Sequence, residues 1–310
     1  MPLVIDTDPG VDDAIAILAA LAAPALDLRA LTVVSGNAAL ETGVANAGGL
    51  LAFAGRDVPV HAGATRPLLR SILRGKYHGP SGMGPLALPP ANRAPDPEHA
   101  VAFLVRSLRE AARPGARRLT ICAIGPLTNL ALAIAQDPAV VAGIDRIVLM
   151  GGGFRTGGNR TPAAEFNILA DPHAAAIVLG SGAPIVMAPL DVTQRAMATP
   201  ARVAKLRALG GRYAVAVADL LDFFDRRDPD RYGSMGGPLH DPCTILYLLQ
   251  PELFTARSAH VEICHDAGPA FGQTLADWWN LTDREPNAEI LVDVDADGFF
   301  DRLGALLQAL

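Results

Sequence analysis

The chain reads as an α/β fold, a mostly parallel central sheet flanked by helices, in a single domain covering residues 1–310. Three observations predict it. Short aliphatic and β-branched runs recur without polar alternation, as expected for strands covered on both faces. Nearly every such run is followed by a helix-like segment, the signature of βα units. Polar and glycine-rich clusters stand directly after the runs, where open parallel sheets bind ligands.

In order, Leu3–Ile5 reads as a strand and Asp12–Leu21 as a helix. Leu28–Val34 is a second strand, followed by a helix around Glu41–Phe53 that ends at Gly55. A short strand at Val58–His61 leads into a long irregular region, residues 62–97, crowded with Gly and Pro. A helix is expected at Glu98–Ala112, a strand at Leu119–Ala123 and a helix from Leu127 to Ala135. Strands follow at Ile144–Met150 and Ile185–Ala188, then helices at Ala201–Leu209 and Tyr213–Phe224. The last third returns to strands at His260–Cys264 and Ile290–Val294 and closes with a helix at Phe299–Leu307.

Composition excludes several classes of function. Charged residues make up 19% of the 310, and no low-complexity tract suggests disorder. A net charge of −6 argues against a nucleic-acid partner, whose phosphates call for a basic face. A small-molecule substrate fits better. Three cysteines without CxxC spacing indicate neither a disulfide framework nor a zinc cage. The uncharged stretches Leu119–Gln136 and Ala174–Leu190 are broken by Gly and Pro, so no membrane span is expected. The first residues lack the basic start of a signal peptide, and a cytoplasmic location is the expectation.

The chemistry concentrates in Asp6-Thr7-Asp8-Pro9-Gly10-Val11-Asp12-Asp13. One or two acids there would cap a helix and complement its dipole. Four crowded carboxylates repel, and a bound cation relieves the repulsion. An all-oxygen donor set suits Ca²⁺ or Mg²⁺ rather than zinc. A Mg²⁺-dependent phosphatase or phosphotransferase also opens with a strand and a DxD pair, so that reading stays open on these residues alone.

The segment Asp6–Ala14 resembles the N-terminal signature of the inosine–uridine preferring nucleoside hydrolases. The likeness continues through Ser35-Gly36-Asn37, Gly125–Ala131, Val148–Gly152, Ala164–Asn167 and Pro238–Cys243, in the family's order. It implies a Rossmann-like nucleoside hydrolase fold and calcium-dependent cleavage of the N-glycosidic bond of ribonucleosides. It further implies a metal held by Asp8, Asp13, the Ile124 carbonyl and Asp241, with Asp6 supporting the metal loop. Asp8 matches the general base that activates water, and His240 the histidine credited with protonating the departing base of purine nucleosides. Asp12, Asn37, Asn159, Glu165 and Asn167 match ribose-binding positions, and His78 matches a histidine near the base. Met150, Phe166 and Tyr232 are expected to line the pocket. Trp278 and Trp279 lie outside these blocks and read as packing residues. The family likeness also implies a homodimer or homotetramer. A non-catalytic nucleoside-binding protein is the remaining alternative, and the presence of every proposed catalytic group speaks against it.

Overall fold

A computed structural model of the chain describes residues 1–75, 78–79, 81–225 and 236–310. The expected pocket residue Tyr232 lies outside them. Strands β1 (Pro2–Thr7), β2 (Asp27–Val33) and β3 (Val60–Ala62) are joined by helices α1 (Val11–Ala22) and α2 (Leu40–Ala54). Helix α3 (Ala100–Ala111) leads to β4 (Leu119–Ala123), α4 (Thr128–Gln136) and β5 (Ile144–Met150). Two short helices, α5 (Phe166–Ala170) and α6 (Pro172–Leu179), precede β6 (Ile185–Ala188) and the single turn α7 (Leu190–Thr193). A two-residue ribbon pairs β7 (Met197–Ala198) with β8 (Gly237–Pro238) across α8 (Pro200–Ala208) and α9 (Arg212–Asp225). The chain ends with α10 (Pro242–Leu249), β9 (Phe254–Ile263), β10 (Thr274–Asp277), β11 (Ala288–Val294) and α11 (Ala296–Ala309).

Nine strands form one sheet in the order β10-β9-β11-β6-β5-β4-β1-β2-β3. From β3 to β11 neighbours run parallel, and β9 pairs antiparallel with both β11 and β10. The unbroken apolar runs have the cause the sequence suggested, since each central strand is buried on both faces. Leu3 and Ile5 of β1 enter one core, and Val4 enters the other. Likewise Val148 and Met150 of β5 face the first core while Ile147 and Leu149 face the second. The first core is closed by α1, α2, α9, α10 and α11, and the second by α3, α4 and α6. Helix α1 lies in the middle of its layer, so eleven of its twelve residues are buried, Asp12 and Asp13 among them.

β1 sits mid-sheet, the chain winds outward through β2 and β3, and α3 carries it back to β4 on the other side of β1. The loops leaving β1 and β4 therefore part in opposite directions and open a crevice beyond their carboxyl ends, the usual ligand position in such sheets. Two differences from the sequence reading concern the edge. β9 starts at Phe254, six residues before the expected His260, because its first five residues are all exposed or half-buried and so carry no apolar run. Trp278 packs edge-on against Phe154 as expected, whereas Trp279 is 75% exposed. Among the described residues, no helix is long and apolar enough to cross a membrane.

Candidate active site

The crevice between β1 and β4 collects the carboxylates. Asp6 lies in the last two residues of β1, and Asp8 directly follows the strand. Asp12 and Asp13 occupy the first turn of α1, and Asp241 precedes α10. All five are buried, none more than 5% exposed. Ligand oxygens of Asp12, Asp13 and Asp241 lie within 4.8 Å of one another. Asp8 stands beside this trio. Its Oδ2 accepts the Asn37 N–H at 2.6 Å, and its backbone N–H donates to Asp13 Oδ1 at 3.3 Å.

Local sequence explains how such a cluster is held. Thr7 donates its hydroxyl to Asp13 Oδ1 at 2.5 Å, and the Gly10 N–H donates to Asp13 Oδ2 at 2.9 Å. Asn37 Nδ2 reaches the same oxygen at 3.4 Å. Asp6 is tied from below by Thr32 Oγ1 at 2.6 Å and Asn129 Nδ2 at 2.8 Å. Asp241 occupies the N-cap position before Pro242, yet its carboxylate makes no capping hydrogen bond. A simple cap is therefore not its role, and its negative end faces the other acids.

Electrostatics sharpen the point. Burial first, then the charges of Asp12, Asp13 and Asp8, push the Asp241 carboxyl well above the ordinary carboxylate range. Burial and Asp13 do the same to Asp8. Burial raises Asp12 to about 6 and Asp6 to about 7 against the hydrogen bonds they accept, and it raises Asp13 as well. At an effective dielectric of ~20, each pair of charges at such separations repels by on the order of 3 kcal/mol. Asp8 Oδ1 and Asp12 Oδ1 are buried without a hydrogen-bond partner among the described residues. No described lysine or arginine forms an ion pair with any of the five, and the His78 ring, whose Nδ1 lies 3.9 Å from Asp12 Oδ1, is held neutral by burial. Buried carboxylate oxygens without donors fit a hard cation, which supplies the missing positive charge and takes oxygen ligands.

The space around Asp8 is kept clear by two glycines. A Cβ at Gly36 would fall onto Asp8 Oδ2, and one at Gly125 would lie 2.8 Å from Asp8 Oδ1. Gly36→Ala is therefore expected to displace the carboxylate and cost about 1–3 kcal/mol of stability by overpacking. An unfolding midpoint equal to that of the unsubstituted protein would contradict this.

The remaining sequence candidates surround the cluster. Asn167, in α5, donates from Nδ2 to the Ile124 carbonyl at 3.0 Å and the Met150 carbonyl at 3.1 Å, linking the ends of β4 and β5. Met150 Sδ lies 3.5 Å from the same nitrogen. Glu165 caps α5, accepting N–H groups of Asn167, Ile168 and Gly152, and burial raises its carboxyl to about 7. Asn159 Oδ1 accepts the Phe166 N–H at 2.9 Å and pins the loop before α5. His78 folds over the N-terminus of α1, its Nδ1 accepting the Val11 N–H at 3.0 Å, and burial lowers its pKa to about 4. His240 is 8% exposed, with Nδ1 2.7 Å from Thr193 Oγ1. Sequence reasoning did not single out Thr7, Thr32 or Thr193. Thr193 had a usable signal, since it follows the strand Ile185–Ala188 as the other site residues follow theirs.

A family model described as inosine-uridine preferring nucleoside hydrolase matches residues 3–301. The chain is 44% identical over 311 residues to the pyrimidine-specific ribonucleoside hydrolase RihA of Salmonella gallinarum, covering 99% of this chain and 98% of that protein. The solved purine-preferring ribonucleoside hydrolase of Gardnerella vaginalis superposes with a TM-score of 0.90 at 30% identity, covering all of both chains. A plant nucleoside hydrolase, the PpNRh1 enzyme, superposes at 0.91 with 33% identity, covering 100% of this chain and 99% of that one.

Proposed function

The chain belongs to the inosine-uridine preferring nucleoside hydrolase family and is a ribonucleoside hydrolase; on that premise we propose a calcium-dependent mechanism in which Asp8 and His240 move the protons. The observation that carries the reading is the buried group of carboxylates at the β1–β4 crevice, three of them (Asp6, Asp8 and Asp12) with an oxygen that no described donor reaches. Asp8, Asp13, Asp241 and the Ile124 carbonyl would hold the ion, with Asp6 bracing the loop from beneath. Their all-oxygen chemistry favours calcium over softer metals. When bound, the ion supplies positive charge that lowers the pKa of a water molecule.

Asp8 takes the proton of the attacking water as that oxygen bonds to the ribose C1′. The bond between C1′ and the base nitrogen breaks, and the electron pair leaves with the base. Positive charge gathers on the ribosyl group as in other glycoside hydrolyses. The surrounding carboxylates and carbonyl oxygens present that charge with a favourable field. His240 delivers a proton to the departing base, since imidazole exchanges protons near neutral pH. Asp12, Asn37, Asn159, Glu165 and Asn167 pair with ribose hydroxyls, so a sugar without them leaves buried polar groups unpaired. His78, Met150 and Phe166 complete the pocket around the base.

The higher identity to a pyrimidine-specific relative supports pyrimidine ribonucleosides as substrates. A reducing-sugar assay over uridine, cytidine, inosine and adenosine, with and without chelator, is expected to show release of ribose from uridine and cytidine and its loss on complete metal removal. Turnover that survives chelation would overturn the metal reading, and inorganic phosphate released from nucleotides instead would favour a phosphatase. A homodimer or homotetramer and a cytoplasmic location belong to the same reading and rest on the family likeness and on composition.

A further inference from the structure

We propose that Thr193 is a positioning residue for His240, selecting which ring nitrogen meets the departing base. The inference rests on the reading of His240 as proton donor and extends it to a residue that touches neither ribose nor base.

His240 stands two residues after β8. The β7–β8 ribbon pairs Met197 with Pro238 and Ala198 with Gly237, and the Leu239 N–H donates to the Ala196 carbonyl at 3.0 Å. These contacts fix where the residue stands. They do not fix the rotation of its ring, and a half-turn about the Cβ–Cγ bond exchanges the two edges of an imidazole. The contact at 2.7 Å between Nδ1 and Thr193 Oγ1 breaks that ambiguity.

Thr193 is well placed for such a task. It is buried and β-branched, so its side chain has few rotamers. Its N–H donates to the Pro189 carbonyl at 3.0 Å, and the Leu190 N–H donates to the Gly152 carbonyl at 2.8 Å. Two residues before it, Asp191 accepts the N–H groups of Phe154 at 2.7 Å and Arg155 at 2.8 Å. The turn α7 is thereby bolted to the loop that leaves β5. A hydroxyl both donates and accepts, so the contact holds the ring with or without a proton on Nδ1. With Nδ1 engaged by Thr193, Nε2 is the nitrogen that serves the leaving group.

The test compares leaving groups. A ribonucleoside needs its base protonated, whereas 4-nitrophenyl riboside releases a stable phenolate without help. Thr193→Val is expected to lower kcat roughly tenfold on whichever ribonucleoside turns over fastest, with KM little changed. On 4-nitrophenyl riboside it should change kcat by no more than about twofold. Thr193→Ser restores the hydroxyl and should recover turnover to within about threefold. Thr193→Ala serves the same comparison if the valine variant does not fold. His240→Ala is expected to show the same substrate pattern more strongly, and adding Thr193→Val to it should change nothing further. Equal losses on both substrates for Thr193→Val, with His240→Ala still selective, would overturn the positioning role alone. A His240→Ala variant with equal losses on both would remove the proton-donor reading, and the role of Thr193 with it.

Discussion

Asp8→Ala is expected to abolish turnover, by on the order of 10⁴-fold or more, because in the proposed mechanism one side chain serves two purposes. As base it takes the proton of water, a contribution of typically 10²–10⁴. As ligand it orients that water, so the two losses compound. Asp8→Asn separates them, since the amide keeps an oxygen and nearly the same shape but has no basic carboxylate. It should retain cation affinity better than the alanine variant while losing most of kcat. In metal-free form Asp8→Asn is expected to melt no lower than the unsubstituted protein, because it removes one of the mutually repelling charges that Asp241 feels. The measurements are kcat on uridine and the unfolding midpoint with and without calcium. An alanine variant with more than a tenth of normal turnover would remove Asp8 from the mechanism.

Calcium added to metal-free protein should raise the unfolding midpoint by on the order of 5–10 °C at saturating concentration, and the rise should be larger at pH 8 than at pH 5.5. Burial and mutual repulsion lift the folded-state values of Asp12 to about 6 and Asp6 to about 7 from 3.8, and those of Asp8, Asp13 and Asp241 in the same direction. A carboxyl whose folded value is raised favours the fold fully below pH about 4, and that support fades as pH climbs through the folded value. Without the ion the protein therefore weakens from about pH 4 to 7 and beyond, as the acids ionise against each other. A cation favours the ionised forms and restores the loss where it is greatest. The exposed Asp277, held at about 2 by hydrogen bonds from Leu281 and Thr282, works in the opposite sense only below pH about 4. Equal shifts at the two pH values would show that the cation does not relieve carboxylate crowding.

The central strands were readable because burial on both faces leaves an unbroken apolar run. Leu119–Ala123, Ile144–Met150 and Ile185–Ala188 match their observed bounds residue for residue. The four residues of β10 carry no such run, since an edge strand needs only one apolar face. The ribbon of β7 and β8 is two residues on each side, too short for any periodicity. Helix α6 hides within the uncharged stretch before β6, where apolar residues all round blur helix into strand. In the site, charge was the legible signal. Asp8, Asp12 and Asp13 stand out after a buried strand, and Asp241 through its resemblance block. The groups that brace the site are uncharged, Thr7 on Asp13, Thr32 on Asp6 and Thr193 on His240, and such a threonine looks in sequence like any threonine in a strand or turn. That Asp12, rather than Asp8, shares the tightest group with Asp13 and Asp241 was likewise not written in spacing. It depends on which face of α1 turns toward α10.

The crevice at the β1–β4 switch draws its acids from opposite ends of the polypeptide, Asp8 and Asp241 being more than 200 positions apart. During synthesis the early aspartates would emerge long before their distant counterpart, so a growing or truncated chain carries repulsion without its remedy. Ion affinity should thus appear late and abruptly, as a report that the whole sheet has closed. Contacts so remote in sequence also make assembly slow.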